Sequence, residues 1–187
     1  MKKLLITLSF LLLTFSAIAQ EHLTFKSIPI DGSLSQFSAK LKADGFKEVA
    51  TDNDGTWFIG KFTGKDCRIL VQSSSVSKTV YAVYALFDNR SEWSMAKSDY
   101  NALKEALARK YGQPKSTEEF DKYYKEDGYD FMHMGGGHIV WQSDFDTKLG
   151  TIFLYIKEQS VNTGCAIIQY RDKINSEKAT IELSDDL

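Results

Sequence analysis

Thr56-Trp-Phe-Ile-Gly-Lys-Phe-Thr63 turns at Gly64-Lys65-Asp66 into Cys67-Arg-Ile-Leu-Val-Gln72, and after a serine-rich turn Thr79-Val-Tyr-Ala-Val-Tyr-Ala-Leu-Phe87 follows. These runs are short and rich in β-branched and aromatic residues. Glycine, aspartate and serine bound them, the pattern of strands separated by tight turns. Upstream, Lys47–Thr51 leads into Asp52-Asn-Asp-Gly55, a strong hairpin signal, which feeds Thr56. Four strands in succession with short connections imply an antiparallel meander.

A helix belongs in front of this meander. Ser33-Leu-Ser-Gln36 matches a capping box, in which serine and glutamine satisfy each other's free backbone donors. Leu34, Phe37 and Leu41 follow at helical spacing and Gly45 supplies a left-handed stop, so the pattern predicts a helix of about 11 residues. Before it, His22–Ile30 reads as one short strand, with Pro29 suiting an edge position.

Downstream the order recurs. Trp93, Ala96, Tyr100, Leu103, Leu107 and Tyr111 form the stripe of a longer helix, about Glu92–Tyr111, ended by Gly112 and Pro114. Thr117–Tyr124 is ambiguous between strand and short helix. Ile139–Phe145, Thr151–Lys157 and Cys165–Arg171 are strand candidates. Phe58 aligns with Trp141, Phe62 with Phe145, Ile69 with Ile152 and Val71 with Leu154, all at one constant offset. After one inserted residue Ala82 aligns with Ala166, Tyr84 with Ile168 and Asp88 with Asp172. Apolar positions falling on apolar ones are what a duplicated unit leaves behind. The expected fold is therefore α+β, a tandem repeat of two units, each a helix packed on an antiparallel, roughly four-stranded sheet. The units cover residues 20–90 and 91–175, and residues 176–187 form a C-terminal tail.

A helix-plus-four-strand unit present twice resembles the tandem architecture of β-lactamase-inhibitor-like proteins. It is also similar to PepSY-like and other exported proteins of gut-dwelling Gram-negative bacteria. The likeness is carried by Phe25-Lys-Ser-Ile-Pro-Ile-Asp-Gly32, Lys110-Tyr-Gly-Gln-Pro114, Gly150-Thr-Ile152 and Tyr170-Arg-Asp172. It implies a non-enzymatic role and carries no functional residue onto this chain.

The N-terminus gives an address. Met1-Lys-Lys, the apolar run Leu4–Phe15 and Ala17-Ile18-Ala19 are the three regions of a secretory signal peptide over residues 1–19. The run is too short to span a bilayer, and no later stretch is long enough, so no membrane span is expected. Cleavage after Ala19 removes Lys2 and Lys3 and no acidic side chain, which takes the formal charge from −2 to −4. The product belongs in the periplasm or outside the cell. Neither value is the basic surplus that a nucleic-acid binder needs.

Chemistry is thinly marked. Two cysteines cannot build a disulfide scaffold or a four-thiolate zinc site. A Cys67–Cys165 bridge suits an oxidising compartment, whereas alternation points the two thiols to opposite faces and favours free thiols. His133-Met-Gly-Gly-Gly-His138 offers two metal-binding side chains, short of the three or four that zinc requires. Asp52-Asn-Asp-Gly55 opens like a calcium loop, but Thr63 stands where the closing glutamate belongs. There is no G-x-S-x-G elbow or P-loop, and Glu118, Glu119 and Asp121 read as a solvated face. No cofactor is implied and no catalytic residue stands out.

What remains is a surface. If Phe58, Phe62, Trp141, Phe145, Ile69, Val71, Ile152 and Leu154 face the helices, alternation sends Trp57, Ile59, Leu70, Val83, Phe153 and Tyr155 to the other face. A sheet covered on one side normally has a polar far face. This one suits either recognition of a protein, peptide or glycan, or burial, including a homodimer through that face. The expectation is an exported, non-catalytic binding or inhibitor-like protein. The alternatives are a small exported hydrolase and an envelope structural or assembly protein.

Overall fold

A computed structural model describes residues 21–52 and 55–185; the apolar leader and Asn53-Asp54 lie outside the described residues. The fold is α+β, with four helices and ten strands among the described residues.

The start of the chain departs from expectation. His22–Ile30 does not form one strand: β1 (Thr24–Phe25) and β2 (Ile28–Pro29) pair as a minute hairpin. Its turn residues Lys26 and Ser27 hold φ of 47° and 67°, left-handed values that cost energy in residues with a Cβ. Phe25 at its base is fully buried against Phe62, Tyr170 and Phe46. Helix α1 (Leu34–Ala43) then begins as expected. The Ser33 hydroxyl accepts from the Gln36 amide, and the Gln36 side chain accepts from Ser33 N at 3.0 Å.

The first meander is β3 (Lys47–Thr51), β4 (Thr56–Phe62), β5 (Lys65–Ser73) and β6 (Val80–Leu86). Helix α2 (Trp93–Tyr111) ends at Gly112, φ 87°. The second meander is β7 (Lys115–Phe120), β8 (Ile139–Thr147), β9 (Gly150–Ser160) and β10 (Thr163–Asp172), with helix α3 (Asp130–Gly135) inside the β7–β8 connection. The two meanders share one antiparallel eight-stranded sheet, in the order β3-β4-β5-β6-β10-β9-β8-β7. Strands β6 and β10 join them, from Ile167 opposite Leu86 to Arg171 opposite Ala82.

Helices α1, α2 and α3 all bury their apolar side chains on one face of this sheet. Phe58, Ile69, Val71, Phe145, Ile152 and Leu154 meet Phe37, Leu41, Trp93, Tyr100, Leu103 and Leu107 there, with Phe62 and Trp141 partly buried at the margin. That is the face alternation assigned to them. One assignment fails. Val83 is fully buried in this core, opposite Val71 and Tyr170, and does not lie on the far face. A bulge causes the change of phase: Gln72 pairs with Ala82 and Ser73 with Val80, leaving Tyr81 as an extra residue. Consequently Tyr84 faces away from Ile168 rather than with it, and the Tyr84/Ile168 equivalence does not hold.

Two buried polar groups of this core, Tyr100 and Asp99, are matched, whereas the indole nitrogens of Trp93 and Trp141 have no hydrogen-bond partner among the described residues. The Tyr100 hydroxyl lies 2.6 Å from the Ser143 hydroxyl and donates to Glu118 at 2.9 Å. Asp99 accepts from Arg90 at 2.7 Å and Lys65 at 2.8 Å. The segment read as a tail carries helix α4 (Lys173–Asp185). Asp172, fully buried, accepts from Asn175 N at its start and from Leu23 N, and meets His22 Nδ1 at 3.1 Å. Farther along, Glu182 accepts from the Ser74 hydroxyl. No helix among the described residues is long and apolar enough to cross a membrane.

Candidate functional site: the uncovered sheet face

Strand register maps the far face residue by residue. One row runs Lys47, Ile59, Arg68, Leu86, Ile167, Tyr155, Gln142 and Thr117, from the β3 edge to the β7 edge. The next row runs Ala50, Trp57, Leu70, Tyr84, Gln169, Phe153, Asp144 and Lys115. Of the far-face residues named from sequence, Trp57, Ile59, Leu70, Phe153 and Tyr155 therefore share this surface, and Val83 does not. Sequence reasoning missed Tyr84, Leu86, Ile167, Gln169 and Arg171. Register places them: Tyr84, Ile167 and Gln169 lie across from Leu70, Tyr155 and Phe153, Leu86 lies across from Arg68, and Arg171 follows two positions beyond Gln169 on β10.

The middle of the face is apolar but has no helix above it. Leu86, Cys165 and Ile167 form a small cluster of their own, shielded by the rings of Trp57, Tyr84 and Tyr155. Those rings are half-buried, Ile59 is 43% exposed, and Leu70 lies beneath them at 8%. Local bonds fix the rings. Trp57 Nε1 donates to Asp52 at 3.0 Å, Arg68 lies over the Trp57 ring at 5.7 Å, and Gln169 Nε2 donates to the Tyr84 hydroxyl at 2.9 Å. Burial pushes the Tyr155 hydroxyl up to about 12 and raises Tyr84 too, so both stay neutral hydrogen-bonding groups.

Two concavities touch this face. A shallow one of about 310 Å³ is lined by Gln142, Phe153, Tyr155, Gln169 and Arg171. A larger cleft of about 750 Å³ opens beside the β1–β2 turn, and Ile59, Arg68 and Leu86 line part of it. Its charges largely satisfy one another: Lys26 meets Asp44 at 2.7 Å and Lys61 meets Asp66 at 3.8 Å.

The other candidates are placed elsewhere. His133 and His138 flank the Tyr124 ring, at 4.9 and 4.0 Å between centroids. Each has its own carboxylate, His133 with Asp127 at 3.2 Å and His138 with Asp121 at 3.4 Å. Neither lines the cleft or the shallow depression. Among the described residues no group of three or more His, Cys, Asp or Glu is arranged to hold a metal ion. Glu118 turns inward to Tyr100 and to Lys104 at 2.5 Å. Cys67 and Cys165 are both free, on opposite faces of the sheet. Burial pushes each thiol up to about 11, the reverse of what a nucleophilic cysteine requires. No family model matches this chain, and neither a curated protein nor a solved structure is found to be similar to it.

Proposed function

We propose that this chain is an exported, non-catalytic recognition protein, inhibitor-like in build, that binds a protein, peptide or glycan through the uncovered sheet face. The observation that carries the reading is that face: aromatic rings held in place by Asp52, Arg68 and Gln169 above an apolar floor, with no described element of the fold laid over them. Amphipathic rings on a rigid support are what recognition surfaces use, because they bury area at little entropic cost.

A tandem duplication is part of the proposal. Ala85 lies opposite Ile168, its own counterpart under the offset that relates Phe58 to Trp141. The flanking pairs Tyr84–Gln169 and Leu86–Ile167 exchange under the same shift. A self-equivalent pair at the junction is what an internal twofold axis requires. The two hairpins correspond at a slightly larger spacing, Phe62 and Lys65 with Thr147 and Gly150, so the sequence alignments of Phe62 with Phe145 and Phe58 with Trp141 do not hold in the fold, and the β9–β10 connection is the shorter of the two that lead to the junction.

Affinity capture from the native cell envelope tests the function, with the double variant Trp57→Ser/Tyr155→Ser as control. Partners retained by the native protein and lost by the folded variant are expected. Identical capture by both, or a stable homodimer in light scattering that the variant abolishes, contradicts the reading.

A further inference from the structure

The recognition surface is chemically polarised, and its polarity points to a ligand class. In the shallow depression Phe153 and Tyr155 stand on the same side of β9, two positions apart and so roughly 7 Å from each other. Gln142 lies opposite Tyr155 and Gln169 opposite Phe153, one on each flanking strand. The amide nitrogens are engaged, Gln142 Nε2 with Asp144 at 2.7 Å and Gln169 Nε2 with the Tyr84 hydroxyl. Each side-chain amide thereby keeps its oxygen as an acceptor. Asp144 adds a carboxylate on the β8 side. On the β10 side Arg171 is exposed and makes no ion pair among the described residues.

Aromatic faces flanked by acceptors, with one free guanidinium at the far end, match a saccharide better than a peptide strand. Sugar C–H faces lie on rings, hydroxyls donate to amide and carboxylate oxygens, and a guanidinium pairs with a carboxylate or sulfate. A peptide added to this open face would find no free backbone groups, because the strands here already pair on both sides. The volume, about 310 Å³, lies at the low end of the range for small-ligand sites.

We infer that this depression binds an acidic glycan, its acid group on Arg171, its ring on Phe153 and Tyr155, and its hydroxyls towards Gln142 and Asp144. The inference rests on the recognition reading above and names its ligand class. Asp144 sets the direction, since it repels the acid group and leaves only the Arg171 end for it.

Calorimetric titration of the exported chain tests it with three acidic probes, oligogalacturonate, sialyllactose and a chondroitin sulfate oligosaccharide. Each is paired with its neutral counterpart, methyl-esterified, asialo or desulfated. At least one acidic probe is expected to bind roughly tenfold or more tightly than its counterpart, an advantage that shrinks in high salt. Arg171→Gln, an exposed change that spares the fold, should erase that advantage, and Tyr155→Ser should weaken both members of the pair. Equal binding of acid and neutral forms, or binding untouched by Arg171→Gln, overturns the acidic-glycan inference. So does no binding of any probe. If envelope capture still depends on Trp57 and Tyr155 in that case, the recognition reading survives; if it does not, both fall.

Discussion

Val83 and Tyr84 are neighbours on β6 that serve opposite faces, and the sequence alone could not say which served which. From Val80 to Phe87 every residue is apolar or aromatic, because β6 is central in the sheet and its far-face side chains Tyr84 and Leu86 belong to the apolar cluster there, so alternation carries no phase. Phe58 beside Trp57 was legible, since Lys61 and Gly60 break the symmetry of β4. At this scale the clearest electrostatic lever is Asp99. Burial raises its pKa, but bonds from Lys65 and Arg90 outweigh that and hold the carboxyl below its usual range. A depressed carboxylate contributes stability that is present above its unfolded pKa, near 4, and lost as pH falls through the lower folded value. Asp99→Asn should therefore cost about 1–3 kcal/mol at neutral pH, and the deficit should narrow below about pH 4. Denaturant melts of both proteins across that range check it; a deficit constant with pH would refute it.

Elements were legible where a physical signal stood in the chain. The capping box of α1 and the glycines ending α1 and α2 appear in the fold as their chemistry demands. The β1–β2 hairpin and helices α3 and α4 were not legible. The β1–β2 hairpin turns on Lys26-Ser27, which lacks the Asn-Gly or Asp-Gly signature of such turns. Helix α4 has no apolar stripe: Ile181 and Leu183 are exposed, and the helix is tied down by polar contacts instead. Its anchor is Asp172, which also holds Leu23 and His22 from the start of the described chain. Asp172→Ala should thus cost about 3 kcal/mol, more than an ordinary helix cap, because two buried amides lose their acceptor. Hydrogen exchange should show Leu23 and Asn175 losing protection together. If only α4 loosens, Asp172 is a cap and nothing more.

At the scale of the molecule, the α+β class and the antiparallel meanders were legible, and their merger into one sheet was not. Nothing in a strand's own composition says that its partner lies in the other half of the chain, as Ile168 does from Ala85. The far-face candidates inherit the same limit. Trp57, Phe153 and Tyr155 were found by alternation, while Tyr84 joins them as the partner of Leu70 and Gln169 as the partner of Phe153, and the β6–β10 junction makes the two sets one surface. A single sheet with its core on one face and the proposed recognition surface on the other is the central claim. Trp57 and Phe58, adjacent on β4, put it to the test, since the first is half-exposed on the open face and the second fully buried under the helices. The measurement is the melting temperature of Trp57→Ser against that of Phe58→Ser. We predict a fall of roughly 10 °C or more for Phe58→Ser and roughly 3 °C for Trp57→Ser. Equal falls would mean that the far face is a second core and would contradict the account.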